Sequence, residues 1–487
     1  MTRRDALGTG LRAASLILMP GWARRERAPE EADAVVVGAG LAGLAAALRL
    51  EAAGMRVVVL EARDRPGGRA RTLRAPFSRG LYANAGPSFV PSNHALTTAY
   101  ARRYGADLDS LAPGDFPGRY YFEGQTVRLD DPDAAWPLAL SPAEREAGYA
   151  EMMWAYLGDD IARVGAHLDL PWAERGAALA ADDAALDGMT AAAHLRSQGA
   201  SEAAVDLLEM GANGVWGEGY RDISALLAVR SIAATLAAYE VYSVRGGTDR
   251  LPSAMAGALR GSVRYGTTVQ RVVSGPNSAA VHFSGPDGVG VITAPKVVLA
   301  LPAHPLRQVA FSPALSPLKQ EALAAIRYTA FARTFIECDA RVWRGPEGPG
   351  AWSAAVPPVQ NVGDATFAQA GEPGILSTFQ TGRLARRYGA LPFRSRVQTV
   401  TQDLAAFFPG LPDVATRGAV YDWHLDPLAG GAYATFGPGE TAWIPGALQT
   451  PEGRLHFAGE HTSPWSGWMQ GALESGERAA HEIAGDG

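Results

Sequence analysis

The residues best placed to do chemistry lie towards the two ends of the chain. Near the start, Gly38, Gly40 and Gly43 form a Gly-x-Gly-x-x-Gly pattern, and Glu61 follows 18 residues after Gly43. Near the end, "HFAGEHTSPWSGWMQGALESG" sets Trp465 and Trp468 three residues apart among Ser and Gly. The glycines suit a pyrophosphate. One permits a tight turn, one lets the backbone come close, and one lets a helix pack on a strand. An acid at the distance of Glu61 can accept hydrogen bonds from a ribose. Large aromatic area beside little side-chain bulk suits a flat object lying against backbone. No Ser/His/Asp nucleophile set stands out. The one cysteine, Cys338, has no intrachain partner, and no Cys/His cluster has metal-ligand spacing, so no metal is expected.

These residues need rigid elements to hold them. Ala34 to Val37 is an apolar, β-branched run, as in a buried parallel strand. Leu41 to Ala53 has helical spacing with Gly54 placed to stop it, and Val57 to Leu60 is a second strand closed by Glu61. Strand, glycine loop, helix, strand and acid together predict a bound dinucleotide. Pro66-Gly67-Gly68-Arg69 adds amides and a fork donor for phosphate.

At 487 residues the chain is too long for one ordinary domain, so two are expected. A net charge of −6 gives no basic field for nucleic acid. The first 30 residues differ from the rest and read as signal and linker. Thr2-Arg3-Arg4 precedes a short apolar stretch that Pro20 breaks, too short for the roughly 20 residues of a membrane span. The paired arginines resemble a twin-arginine export signal, which implies a periplasmic or secreted protein. Ala6 and Arg12 depart from that pattern, and the other reading is an extension of a cytoplasmic protein.

"EARDRPGGR", from Glu61 to Arg69, resembles the flavin-containing amine oxidase family, which includes monoamine, polyamine and L-amino-acid oxidases. Further matching segments are "VRGGTDRLPSAMAGAL", "VRYGTTVQRV", "KVVLALPAHPLRQVAFSPAL" and "RLHFAGEHTSPWSGWMQGALESGERAA". The resemblance implies FAD, with Glu61 on its ribose, Arg63 and Arg69 on the nucleotide and pyrophosphate, and Val269 meeting the adenine side through backbone. It implies Gly459 and Glu460 at the ribityl and phosphate part, and Gly467, Trp468 and Met469 beside the isoalloxazine. The flat object is then the flavin ring. A helix beginning near Gly471 can turn its N-terminus towards the ring. Tyr433, from "WHLDPLAGGAYATFGPG", and Trp468 match the family's aromatic cage for the amine, while Trp465 acts mainly in packing. His424 and His461 read as scaffold.

Some positions depart from relatives in the family. Ala432 stands where monoamine oxidases carry the cysteine that tethers the flavin, so FAD is expected to be non-covalent and Cys338 to be a buried structural residue. Arg333 takes the place of a lysine beside flavin N5. It keeps the charge but cannot carry a proton, so an acceptor other than oxygen, such as a quinone or redox protein, comes into play. Phe89 replaces the arginine that clamps a substrate carboxylate, which counts against an amino acid unless another arginine, such as Arg333, takes over. No acids for distal ammonium groups can be placed.

The expected architecture is α/β: a doubly wound, Rossmann-like FAD-binding domain from residues 31–95, 242–312 and 420–487, and an α+β substrate domain from 96–241, mostly helical, and 313–419. Strands are predicted around Arg333 to Val342 and Gly374 to Gln380, with "PPVQNVGD" a loop. The expected reaction is oxidation of an amine C–N bond to an imine that water hydrolyses, with Tyr433, Trp468 and Arg333 at the reacting end. The alternatives are an L-amino-acid oxidase or a C–C desaturase of the same fold, and a non-catalytic binding protein like the GDP-dissociation inhibitors.

Overall fold

A computed structural model describes residues 27–485, apart from 112–117, 123–124, 130, 132–133, 169–180, 346–347 and 356–358 and the side chains of 212–216. The stretch that resembles an export signal, Thr2-Arg3-Arg4 included, lies outside the described residues.

Four consecutive apolar residues at Ala34–Val37 and at Val57–Leu60 form strands buried along their whole length. They sit in a five-stranded sheet whose order is Val263–Arg264, Val57–Leu60, Ala34–Val37, Lys296–Leu299, Leu455–Phe457. Every pairing in it is parallel. Parallel strands need covered faces. Val35, Val37, Val58 and Leu60 share a core with Val281, Phe283 and Ile292 on one face, and helices Leu41–Ala52 and Met469–Ala484 together cover the other, over Ala34, Val36, Val57 and Val59. The two helices cross closely because Gly476 has no side chain: a Cβ there would lie 2.1 Å from the Ala42 carbonyl oxygen. The predicted helix after the glycine loop is present and buries Leu44, Ala45, Ala46, Ala47 and Leu50.

A second five-stranded sheet runs Glu30–Glu31, Gly288–Ala294, Ala279–Gly285, Thr268–Ser274, Ala310–Ser312. Glu30 and Glu31 pair with Ile292 and Thr293, so the end of the predicted linker is anchored in this sheet.

The substrate half is built on a seven-stranded sheet ordered Ala415–Asp422, Phe331–Cys338, Gly374–Thr381, Asn361–Asp364, Ser353–Ala355, Arg119–Phe122, Gln125–Arg128. The helical period expected between 96 and 241 appears as Pro142–Gly165, Ala181–Asp187, Ala191–Ser197, Glu202–Trp216 and Ala225–Leu236. Two of the expected boundaries cut through elements. Residue 96 lies inside helix Ala95–Arg103, which packs on the last helix: the Thr97 amide donates to Gln470 Oε1 at 3.1 Å and the Tyr100 hydroxyl to Glu477 at 2.8 Å. Residue 420 lies inside the edge strand Ala415–Asp422, which pairs along Phe331–Cys338 in the substrate sheet.

Two strand predictions also need correction. The strand at Arg333 spans Phe331–Cys338 and stops short of Val342, where the chain turns with the Arg344 amide on the Arg341 carbonyl. "PPVQNVGD" contains the buried strand Asn361–Asp364. Its polar and glycine content hid it. Gly363 admits the Ala351 carbonyl, which would stand 2.3 Å from a Cβ.

Candidate active site

The three glycines of the first loop meet different surroundings. Gly38 has φ +101°, and a Cβ there would lie 2.7 Å from the Ala300 carbonyl oxygen. Gly43 touches the loop itself, since its Cβ would lie 1.9 Å from the Gly38 carbonyl oxygen. At Gly40 a Cβ would meet no protein atom within 4 Å, because the residue faces open cavity. Gly68, with φ +54°, lies across from it, 3.6 Å from a Cβ to the Gly40 Cα. Gly40 is also the N-cap of helix Leu41–Ala52 and offers no side chain, so the first amides of that helix keep their capacity for an anion.

These glycines form one end of a cavity of about 810 Å³. Glu61 lines it, accepting from the Ala39 amide at 2.7 Å and the Arg63 amide at 2.8 Å. Each of its oxygens retains a lone pair for a hydroxyl donor. Burial pushes its carboxyl above the usual range, against the pull of those two amides and of Arg63 and Arg65. Val269 lines the wall from the second sheet, where the register with the neighbouring strand shifts. Arg63 also lines it and is held by Asp426 at 2.8 Å.

The C-terminal signature forms the adjoining wall, through Gly459, Glu460, Trp468 and Met469. The last helix begins at Met469, two residues before the expected Gly471, with Trp468 as an N-cap that supplies no side-chain hydrogen bond. Gly467, at φ +85°, makes the turn into it, and the Tyr433 ring lies against that glycine. Tyr433 and Trp468 both face the cavity. Trp465 is buried in the core and does not line it.

Glu460 is placed by the resemblance at the ribityl and phosphate part, but its carboxylate is already engaged by protein. Oε1 accepts from Arg69 at 2.7 Å and from the Ala434 amide at 3.3 Å, while Oε2 accepts from the Gly467 amide at 2.8 Å and from Ser466 Oγ at 3.1 Å. Arg69 donates to the Ala432 carbonyl as well, at 3.0 Å. One ion pair thus ties down the residues on both sides of Tyr433 and those leading into Trp468. Burial opposes the Glu460 charge, but Arg69, His461 and the Gly467 amide hold its carboxyl below the usual range.

Arg333 does not line the large cavity. It lies one layer behind, its guanidinium carbon 3.7 Å from the centroid of the Phe379 ring and 4.7 Å from that of Phe335. Strand pairing is the reason. Arg333 and Phe379 are direct cross-strand partners, so their side chains share a face. Arg333 donates to the Asn84 carbonyl, to Ser88 Oγ and to Ser377 Oγ. Burial pulls its pKa down to about 9, so it stays charged at neutral pH.

Sequence reading missed most of the aromatic wall. Phe331, Trp352 and Phe379 line the cavity next to Tyr433. Alternation along the two strands carried a weak signal for Phe331 and Phe379; Trp352, in an irregular stretch, carried none. His94 was missed too. Its ring makes T-shaped contacts with Trp468 at 4.8 Å and with Trp465 at 5.4 Å, and so braces both. Burial lowers its pKa to about 3. His461, lowered to about 4 by burial, and His424 do not line the cavity.

The cavity fits FAD in the properties a wall can test. It has a side-chain-free cradle at Gly40 and Gly68, an uncapped helix N-terminus, an acid with free lone pairs and a flat aromatic end. Cys338 is buried in a separate cluster with Ile336, Leu376 and Leu404, and burial pushes its thiol up to about 12. With Ala432 on the wall and no other cysteine in the chain, no cysteinyl tether can form.

The family described as flavin containing amine oxidoreductase matches residues 41–484. The chain is 28% identical to an L-amino-acid oxidase of Vipera ammodytes ammodytes over 465 residues, covering 92% of each chain. Among solved structures it resembles putrescine oxidase bound to putrescine, with a TM-score of 0.79 and 23% identity over 94% of this chain and 99% of that one. It also resembles cyclohexylamine oxidase from Brevibacterium oxydans IH-35A, with a TM-score of 0.77 and 23% identity over 93% and 99%. At that identity the two structures share the fold.

Proposed function

Since the chain belongs to the flavin containing amine oxidoreductase family, we propose that it oxidises the C–N bond of a small-molecule amine to an imine. The observation that carries this reading is the single cavity that runs from the Gly38–Gly40 cradle and Glu61 to the Tyr433 and Trp468 rings. When bound, FAD supplies the two-electron acceptor for the C–H bond next to nitrogen. The amine gives up a hydride from that carbon and a proton from nitrogen. The resulting C=N bond is then hydrolysed by water to a carbonyl compound and a released amine. Dioxygen or another redox partner takes the two electrons.

The residues of this chain act by position and polarity. Tyr433 and Trp468 hold the amine between aromatic faces and fix the approach of its α carbon. The apolar wall strips water and favours the uncharged amine, because burial disfavours an ammonium. No histidine lines the cavity among the described residues, and its two acids are committed to backbone amides and Arg69. The amine therefore arrives neutral and needs no base from the wall. The test is anaerobic mixing of the purified yellow protein with a panel of amines. Bleaching of the flavin band supports the reading. A colourless protein, or a flavin that dithionite reduces and no amine does, would sink it.

The paired arginines add a proposal about place, namely export of the folded, loaded protein. Fractionation of cells making the native chain and an Arg3→Lys, Arg4→Lys variant tests it. The same distribution for both argues against a signal.

A further inference from the structure

The charged groups on the wall of the large cavity all have protein partners, and the Arg69–Glu460 pair, bonded to the backbone on both sides of Tyr433, comes nearest the aromatic end. Among the described residues the charged wall consists of Glu61, Arg63, Arg69 and Glu460. Glu61 holds two backbone amides, Arg63 is paired with Asp426, and Arg69 with Glu460. The aromatic end is a continuous run of rings. Tyr433 meets Phe331 at 6.4 Å between centroids, Phe331 meets Phe379 at 5.7 Å, and Phe379 meets Trp352 at 4.4 Å. Phe89 and Trp468 complete it, and none of these six carries a charge.

A charged side chain does lie close behind this wall. Arg333 is buried, has no carboxylate partner among the described residues, and has an Nε without a hydrogen-bond acceptor. The Phe379 ring covers it on the cavity side. Arg333 opens instead on a separate cavity of about 40 Å³, which has room for a water or two and none for a substrate group.

Resting on the amine-oxidising reading above, we infer that the substrate is a monoamine with an uncharged aromatic or alicyclic body, and that Phe379 sets this choice by shutting the Arg333 guanidinium out of the site. A diamine would bury its distal ammonium against rings, and among the described residues every acid on the cavity wall is already held by protein donors. An amino acid would bury a carboxylate where, among the described residues, both cations of the cavity wall are already paired. Each is an unpaired charge in an apolar site, which the protein disfavours by at least about 100-fold.

The experiment uses the FAD-loaded enzyme, mixed without oxygen with 2-phenylethylamine, 1,4-diaminobutane or L-phenylalanine. Flavin reduction by 2-phenylethylamine should exceed the other two by about 100-fold or more in its second-order rate constant. Phe379→Ala removes the cover from Arg333, so L-phenylalanine should gain about 10-fold or more relative to 2-phenylethylamine. Phenylacetate should then bind, read by quenching of tryptophan fluorescence. Phe379→Leu keeps an apolar cover and should show neither change; it also serves as the second variant if Phe379→Ala folds poorly. Wild-type enzyme reduced equally well by the diamine or the amino acid overturns the inference and leaves amine oxidation standing. So does an uncovered Arg333 in folded Phe379→Ala that neither binds phenylacetate nor shifts the ratio. Reduction by none of the three overturns this inference, and the same failure across the whole amine panel, with dithionite still effective, removes the amine-oxidising reading as well.

Discussion

Trp468 and Glu460 show how single residues divide the work. Trp468 lines the cavity with a ring, whereas Glu460 holds the backbone around the cage in place through the Ala434 and Gly467 amides. Trp468→Ala should slow flavin reduction by about 100-fold, the cost of a reacting carbon misplaced by about 1 Å, with FAD content unchanged. A wild-type rate in anaerobic stopped flow would make Trp468 a packing residue. Glu460→Gln keeps the shape but leaves Arg69 buried without its counter-charge, at a cost of about 3 kcal/mol in urea unfolding. Its flavin reduction should slow as well, because the backbone on both sides of the cage loosens. An unchanged reduction rate would argue that the ion pair serves stability alone. Two buried histidines contribute to the loss of stability in acid. His94 and His461 fall from 6.5 to about 3 and about 4 through burial. Between pH 6.5 and pH 4 the unfolded chain binds protons at both and the folded chain at neither. Stability is therefore full above pH 6.5 and falls as the pH drops through that window, by about 1.4 kcal/mol per histidine per pH unit. Thermal melts from pH 7 to pH 4 should show the decline, and His94→Phe should make it shallower. An identical slope in that variant would remove His94 as a cause.

At the scale of elements, the glycine loop and the two helices it serves make separable predictions. Gly40→Ala places a methyl in the cradle and touches no protein atom. The variant should fold with near-normal stability and retain little FAD. Gly43→Ala drives its methyl into the Gly38 carbonyl, and Gly476→Ala into Ala42 where the two helices cross. Both should lose about 1–3 kcal/mol, as overpacked sites do. Melting curves and the flavin-to-protein absorbance ratio separate the cases. A Gly40→Ala protein with full flavin would mean that the pyrophosphate lies elsewhere. Loop and helix were legible because strand, turn and helix are adjacent in sequence and glycine signals a local backbone demand. The strand Asn361–Asp364 was not legible, because its burial comes from neighbours on both sides rather than from its own composition.

At the scale of the molecule, one cavity is walled by the parallel sheet's loops, by strand Thr268–Ser274 of the second sheet, and by the rings of the substrate sheet. A ligand that fills it contacts both halves and stabilises them by mass action, about 4 kcal/mol at 1,000 times the dissociation constant. Stripped protein should melt several degrees below loaded protein and recover when FAD is added. Acid precipitation should send all the colour into the supernatant, since no cysteine can hold it. Yellow retained in a washed pellet would refute non-covalent binding.

The sequence by itself determined the dinucleotide loop, its acid, the signature around Trp468 and the missing tether at Ala432, because each is a property of neighbouring residues or of a residue type. Only the tertiary structure decided what the site excludes. Arg333 and Phe379 become stacked through cross-strand register, and Arg69 reaches Glu460 across 391 positions of chain. Whether a buried guanidinium faces a substrate or lies behind a ring depends on which strands pair and which face each side chain takes, and no local pattern encodes that.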